Sequence, residues 1–205
     1  MRGCLWVLVG AWLLCVPFMA VGEETGGKQD ATEVRTLVNS GRELLGAGKT
    51  AEAIAVLEKA VRLGPESQEA RFLLGAAFIE AGRYEDAGPL LETLLKVLPD
   101  NPMVKNNLAW VYVKSKDDNV RNPAKAVRLA REAIMDAPSD YLIWNTLAEA
   151  YYADGKYERA LRAAESALRL NLLAGVTNTA ACRDLVSRCR KATGDGEKGK
   201  SGELE

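Results

Sequence analysis

The residues with the clearest chemical signature are Gly48-Lys49-Thr50, in the stretch LLGAGKT. Glycine, lysine and threonine in this order end a nucleotide-binding phosphate loop, in which the lysine reaches the terminal phosphates. That loop needs a second glycine five residues earlier, but Glu43 stands there. It also needs an apolar strand before it, whereas the preceding NSGRELL is polar and has helical spacing. The sequence therefore predicts a turn between two helices here rather than an ATP site.

No other group of residues predicts an enzyme. The 205 residues include no histidine, which removes the commonest general base and the commonest metal ligand. The acidic pairs Asp117-Asp118 and Glu23-Glu24 stand in polar stretches and predict solvated loop charge. We therefore expect a protein that is not an enzyme and that needs no cofactor and no metal.

Residues 1–22 have the pattern of a signal peptide. Arg2 precedes an apolar run over residues 4–21, and Ala20 and Gly22 provide small residues for cleavage. The run reaches only the lower length limit for spanning a membrane, and Pro17 would break its last turn. We expect an exported, periplasmic protein. The alternative is an inner-membrane anchor formed by residues 4–21, with the rest of the chain facing the periplasm.

Two cysteines remain after such cleavage, Cys182 and Cys189. If they lie in one helix, their Cα atoms are about 10 Å apart, which exceeds the reach of a disulfide. The spacing favours two small core residues over a redox pair.

The central part of the chain repeats with a period of 34 residues, lengthened once to 39. The repeat is marked by four alanines: Ala53, Ala87, Ala126 and Ala160. A proline stands twelve residues after each of the first three alanines: Pro65, Pro99 and Pro138. A glycine stands five residues before the first, second and fourth alanines: Gly48, Gly82 and Gly155. Each unit predicts two helices, because glycine favours the end of the first and proline cannot continue the second. Stacked helical pairs form a solenoid.

These marks divide the chain into segments. Four repeat units occupy residues 34–67, 68–101, 102–140 and 141–174, and the third is five residues longer within KSKDDNVRN. A polar flexible linker is predicted over 23–33, a capping helix over 175–192, and a disordered tail over 193–205.

The matched positions resemble the tetratricopeptide repeat (TPR) family. The second unit carries Leu74-Gly75, Phe78, Tyr84, Ala87 and Pro99, and the fourth carries Trp144, Leu147-Ala148, Tyr151, Gly155, Tyr157 and Ala160. The resemblance implies an all-α fold, a right-handed superhelix of stacked helix pairs whose first helices line a concave groove. It also implies that the groove binds a peptide or protein partner.

The register of the repeat predicts which side chains face this groove. Asparagine amides can pair with a partner's backbone, and aromatic side chains supply apolar contact area. The predicted groove residues are Asn39, Arg42, Phe72, Ile79, Asn106, Asn107, Trp110, Lys114, Asn145, Glu149 and Tyr152.

A second surface is suggested by charge. Residues 155–192 hold eight lysines and arginines against three acids, although the whole chain has a net charge of -1 and gives no reason to expect nucleic acid. We expect an adaptor in a bacterial envelope assembly or secretion system, with the membrane contacted only through an uncleaved N-terminal segment. The alternative is a structural subunit of an enzyme or pilus complex that binds through its convex or basic C-terminal face.

Overall fold

The structure, a computed structural model, describes residues 23–175 and 179–194, with side chains from residue 31 onward. The predicted signal peptide, the anchor alternative and residues 195–205 of the predicted tail lie outside the described residues. Within them the chain forms nine α-helices and no strand. The helices are α1 Glu23–Gly46, α2 Thr50–Leu63, α3 Gln68–Glu80, α4 Tyr84–Val97, α5 Pro102–Lys114, α6 Pro123–Asp136, α7 Tyr141–Ala153, α8 Tyr157–Leu173 and α9 Ala180–Thr193. The all-α fold class is confirmed.

The helices pack as four consecutive pairs followed by α9, and each pair contacts the next. The first helices also contact one another, α1 with α3, α3 with α5 and α5 with α7, and α9 contacts α7. The second helices α2, α4, α6 and α8 make no such contacts with one another in the described residues. Because the first helices are the more closely spaced, they form the inner side of a curved stack. We call α1, α3, α5, α7 and α9 the inner row.

Glycines, prolines and capping side chains explain where the helices begin and end. Gly48, Gly82 and Gly155 have φ near +72°, a left-handed conformation that reverses the chain between the two helices of a unit. Helices α3, α5 and α7 begin after side-chain caps from Ser67, Asn101 and Asp140. Where Leu172 replaces the proline of the earlier units, α8 continues to Leu173 and is three residues longer than α6.

The core lies between the two rows of helices and is filled by small residues facing leucines. The repeat alanines Ala53, Ala87, Ala126 and Ala160 are completely buried. Gly75 faces Leu91 so closely that a Cβ atom there would lie 3.0 Å from Leu91 Cδ2. Small residues at these positions therefore let the paired helices approach each other.

The N-terminus of α1 differs from the sequence expectation. The sequence predicts a flexible linker over residues 23–33, but α1 begins at Glu23. No proline interrupts this stretch, and a helix already fixed by packing extends without a new nucleation step. Val34 and Val38 are buried, and the Glu33 carboxylate lies 2.7 Å from Lys59 Nζ of α2, which holds the first described side chains against the stack.

Candidate partner-binding groove

The groove is formed by the inner row, and the predicted residues lie on all four of its first-helix members. Their exposure differs along the row. Asn39 and Arg42 are exposed; Phe72, Ile79, Asn107, Trp110, Lys114, Asn145 and Tyr152 are half-buried; Asn106 and Glu149 are buried.

The C-terminal end of the groove is organised around Glu149. This side chain is 10% exposed and lies between two cations, with Oε2 3.1 Å from Lys114 Nζ and Oε1 accepting a hydrogen bond of 2.6 Å from Arg188 Nη2. Burial lowers the pKa of the Arg188 guanidinium, but hydrogen bonding and attraction from Glu149 and Asp184 outweigh it and raise the pKa overall. Glu149 therefore joins α5, α7 and α9, and it is not a free acid for a partner.

Aromatic rings flank this ionic cluster. Lys114 Nζ lies 4.6 Å from the centre of the Trp110 ring, and the Arg188 guanidinium lies 5.3 Å from the centre of Tyr152. The Tyr152 ring meets Tyr157 edge to face at 5.4 Å. The two cations are matched by two carboxylates, Glu149 and Asp184, so this end of the groove is ionic but balanced in charge, and its rings make it partly apolar. Such a surface suits a partner with aromatic side chains.

The other end of the groove has a different character. The Arg42 Nη1 atom donates a 3.0 Å hydrogen bond to Asn39 Oδ1, and the same guanidinium forms an exposed ion pair with Glu69 of α3. Phe72 and Ile79 lie between the two ends and are only half-buried. The groove therefore has polar ends and an apolar middle.

Asn106 is not an open groove contact. Its side chain is 7% exposed, and Oδ1 is buried without a hydrogen-bond partner among the described residues. Asn39 is exposed, and Asn107 and Asn145 are half-buried, so these three asparagines remain accessible to a partner.

Sequence reasoning does not place Arg188 in the groove, because it treats α9 only as a cap. The contact between α9 and α7 shows that α9 takes the place of a further first helix. The signal is present in the spacing of Cys182, Leu185, Val186 and Cys189, an apolar stripe of the kind a first helix buries.

The Gly48-Lys49-Thr50 turn has no feature of a phosphate site. The Gly48 and Lys49 amides donate to the carbonyls of Leu45 and Leu44, each at 2.9 Å, so they close the end of α1. The Lys49 ammonium is exposed, 3.5 Å from the Glu52 carboxylate. Gly48 and Lys49 lie in the turn between α1 and α2, as predicted, and Thr50 begins α2.

The two cysteines behave as core residues. Both are free and buried, and burial raises the pKa of the Cys189 thiol to about 11 and also raises the pKa of Cys182. Neither is a reactive thiolate at neutral pH. The residues for which the structure gives positions include no acidic or cysteine cluster that could hold a metal ion. None of the helices α1 to α9 combines the length and apolar character needed to cross a membrane.

Comparison with known families identifies the repeat. Two models described as tetratricopeptide repeat match residues 44–111 and 119–171. A search of curated protein sequences found no match.

Solved structures share the architecture. TTC0263, a thermophilic TPR protein of Thermus thermophilus, is 16% identical with a TM-score of 0.63, and the match covers 83% of this chain and 93% of that one. A point mutant of MamA is 22% identical with a TM-score of 0.62, covering 86% and 99%. MamA from Desulfovibrio magneticus RS-1 is 18% identical with a TM-score of 0.56, covering 84% and 98%. At these identities the likeness shows the fold alone.

Proposed function

Because this chain belongs to the tetratricopeptide repeat family, we propose that it is a non-catalytic adaptor that binds a peptide or protein partner in its concave groove. The repeat supports a role in protein–protein interaction. We choose the groove as the binding surface because the first helices contact one another. This packing brings side chains of α1, α3, α5 and α7 onto one face of the inner row.

The groove residues suit an extended peptide. The half-buried amides of Asn107 and Asn145 lie on neighbouring helices and can pair with the backbone donors and acceptors of such a peptide. Trp110, already held under Lys114, offers a large apolar face without much further loss of side-chain freedom. We propose that Trp110 anchors an apolar partner side chain and that the asparagines fix its register.

The setting of this adaptor is proposed from the sequence. Residues 1–22 have the pattern of an export signal, so we place the described domain in the periplasm, as part of an envelope assembly or secretion system. Fractionation of cells that express the full chain with a C-terminal tag tests this placement. Tagged protein in the cytoplasm alone would contradict it.

The groove is tested by site-specific crosslinking followed by binding measurements. A photoreactive amino acid at position 107 captures neighbours in native envelopes, and the captured protein is identified, purified and titrated against the wild-type chain. We expect the double variant Trp110→Ala/Asn145→Ala to weaken this binding roughly tenfold or more, which corresponds to ~1.4 kcal/mol.

The matched control changes exposed residues of a second helix. Lys96→Ala/Val97→Ala removes a charge and apolar area from the end of α4, away from the inner row. This variant should bind as the wild type does. Unchanged affinity of the Trp110→Ala/Asn145→Ala variant would show that the partner does not use the groove.

A further inference from the structure

A cleft opens on the outer side of the stack, between α6 and α8. Two adjoining cavities of about 530 and 540 Å³ share Arg131, Trp144, Leu147 and Tyr151 as lining residues. Since α6 and α8 do not contact each other in the described part of the chain, one face of α7 forms the floor between them. We call this surface the α6/α8 cleft. It lies on the opposite side of α7 from the groove.

The α6/α8 cleft has an excess of positive charge. Its lining includes Arg128, Arg131, Arg159 and Arg162 against one acid, Glu132. Arg128 is neutralised by Glu132, with 3.1 Å between Nη1 and Oε1. The other three guanidinium groups have no ion-pair or hydrogen-bond partner within residues 31–175 and 179–194. The cleft therefore presents unpaired arginines around an aromatic floor.

We call the space between two consecutive second helices a junction. The preceding junction, between α4 and α6 above α5, is bridged by polar side chains. The Tyr112 hydroxyl donates to Glu92 Oε1 at 2.5 Å, and Lys125 Nζ donates to the same hydroxyl at 2.5 Å. Lys125 Nζ also lies 3.5 Å from Glu92 Oε1. A carboxylate, a phenol and an ammonium group thus bridge α4 and α6 across the floor of the junction.

The same three positions recur one repeat later with one change of charge. The ninth residue of the earlier second helix is Glu92 in α4 but Arg131 in α6. The eleventh residue of the floor helix remains tyrosine, Tyr151 of α7, and the third residue of the later second helix remains basic, Arg159 of α8. The phenol and the cation are kept, and the carboxylate is missing.

The first junction of the stack does not share this pattern. There the floor residue is Phe78, which has no hydroxyl, and the flanking residues are Glu58 and Asp86. Among the three junctions between described second helices, only the α6/α8 cleft combines two basic side chains with a tyrosine.

We propose that the α6/α8 cleft binds an acidic segment of a partner protein, with an aspartate or glutamate carboxylate seated between Arg131 and Arg159. Tyr151 donates a hydrogen bond to this carboxylate, as Tyr112 does to Glu92. Arginine is suited to the task because its planar guanidinium binds a carboxylate through two parallel hydrogen bonds.

The apolar lining of the cleft indicates which side chains lie next to the carboxylate in the partner segment. Trp144 and Leu147 form the floor, and Met135, which is 83% exposed, lies at the side. A flexible methionine adapts to apolar side chains of different shapes. The segment therefore carries leucine, methionine or an aromatic residue next to its carboxylate. The cleft is recessed between helices, which suits a side chain on a peptide better than the plane of a membrane.

The test uses the full chain and a short fluorescein-labelled peptide in which glutamates alternate with leucines. We expect saturable binding by fluorescence anisotropy that weakens as salt rises, and roughly tenfold weaker binding of the same peptide with glutamine in place of glutamate. Arg131→Glu should abolish binding, because it restores the acid of the preceding junction and pairs with Arg159 inside the molecule. Thermal unfolding of this variant, monitored by circular dichroism, shows that it is folded.

Arg121→Glu is the matched control, since it makes the same charge change at an exposed residue outside the cleft. It should leave peptide affinity within about twofold of the wild type. Equal binding of the glutamine peptide, or unchanged binding by Arg131→Glu, would overturn the proposal. So would tighter Arg131-dependent binding of a phosphopeptide or of anionic phospholipid vesicles, or self-association of the chain that Arg131→Glu removes.

The cleft and the groove are tested separately. Trp110→Ala/Asn145→Ala should keep full affinity for the acidic peptide, because neither residue lines the cleft. Loss of peptide binding in that variant would place the acidic segment in the groove and remove the cleft site. Failure of the groove test leaves the cleft result unaffected.

Discussion

At the scale of single residues, helical register predicts the direction of a side chain but not what reaches it. Register places Glu149 in the groove, and it gives no sign that Lys114 and Arg188 both pair with this carboxylate. Register places Asn106 on the same face, yet the structure buries it. Both outcomes depend on side chains from other helices. A periodic sequence pattern does not predict how close those side chains come.

Glu92 offers a test of pH dependence. The Tyr112 hydrogen bond and then Lys125 lower the pKa of this carboxyl below its usual 4.5, although burial opposes the shift. Its ionised form thus stabilises the fold above pH 4.5, and this contribution is lost as pH falls through the lower folded-state pKa. We expect Glu92→Gln to reduce the free energy of unfolding at neutral pH by no more than ~1 kcal/mol, since the pair is half-exposed.

The measurement is urea unfolding at neutral pH and at a pH below the folded-state pKa of Glu92. The difference between Glu92→Gln and the wild type should shrink in acid. Glu58→Gln is the control, because Glu58 holds the same position in α2 and has no ion-pair or hydrogen-bond partner among the described side chains. A difference that is equally large at both pH values would show that the bridge is not ionic.

At the scale of elements, local chemistry predicts most of the helix ends. Glycine at Gly82 and Gly155 and proline at Pro99 and Pro138 act within their own turns, so the sequence shows where these helices stop. The start of α1 is not predicted by such reasoning, because residues 23–33 have no apolar stripe and contain Gly26-Gly27, a pair that favours a turn. Its helical state follows from continuity with the packed residues of α1.

The approach of paired helices is tested at Gly41 of α1. A Cβ atom there would lie 2.5 Å from Leu57 Cδ2 of α2, closer than atoms can pack without movement. We expect Gly41→Ala to lower the free energy of unfolding by about 1–3 kcal/mol through overpacking, although alanine is otherwise the better helix former. Urea denaturation monitored by circular dichroism measures this cost.

Gly46→Ala is the matched control on the same helix. A Cβ atom at Gly46 would meet no atom within 4 Å, so alanine should be neutral or stabilising by up to ~1 kcal/mol. If Gly41→Ala were also neutral, Leu57 would have room to move, and close approach would not explain the glycine.

At the scale of the whole molecule, the stack is held by neighbours alone. Each helix pair contacts the pair before and after it, and α9 covers only α7 and α8. In such a solenoid, the free energy of unfolding is approximately the sum of unit and interface contributions. A destabilising substitution therefore affects mainly its own unit and the neighbouring interfaces. The 34-residue period predicts a stack of repeats, but it does not predict that α9 continues the inner row, which depends on tertiary packing.

Leu185 of α9 tests this locality. It is 1% exposed, and Leu185→Ala should cost about 2–5 kcal/mol at the interface with the fourth unit. Hydrogen exchange followed by mass spectrometry should show faster exchange in α8 and α9 and unchanged exchange in α2 to α4. Leu91→Ala, another fully buried leucine, should instead affect α3 to α5. Equal acceleration along the whole chain would mean that the stack unfolds as one cooperative unit.

The Glu92–Tyr112–Lys125 bridge has a mechanical consequence. In the described part of the chain it is the ionic tie between consecutive second helices, while the junctions on either side of it have none. We therefore expect the junction between α4 and α6 to resist widening more than the junctions on either side of it. A load that bends the molecule more tightly would widen the α6/α8 cleft before it strained the centre. An acid bound between Arg131 and Arg159 would act as a removable brace, so that occupancy of the outer cleft would set the curvature of the inner groove.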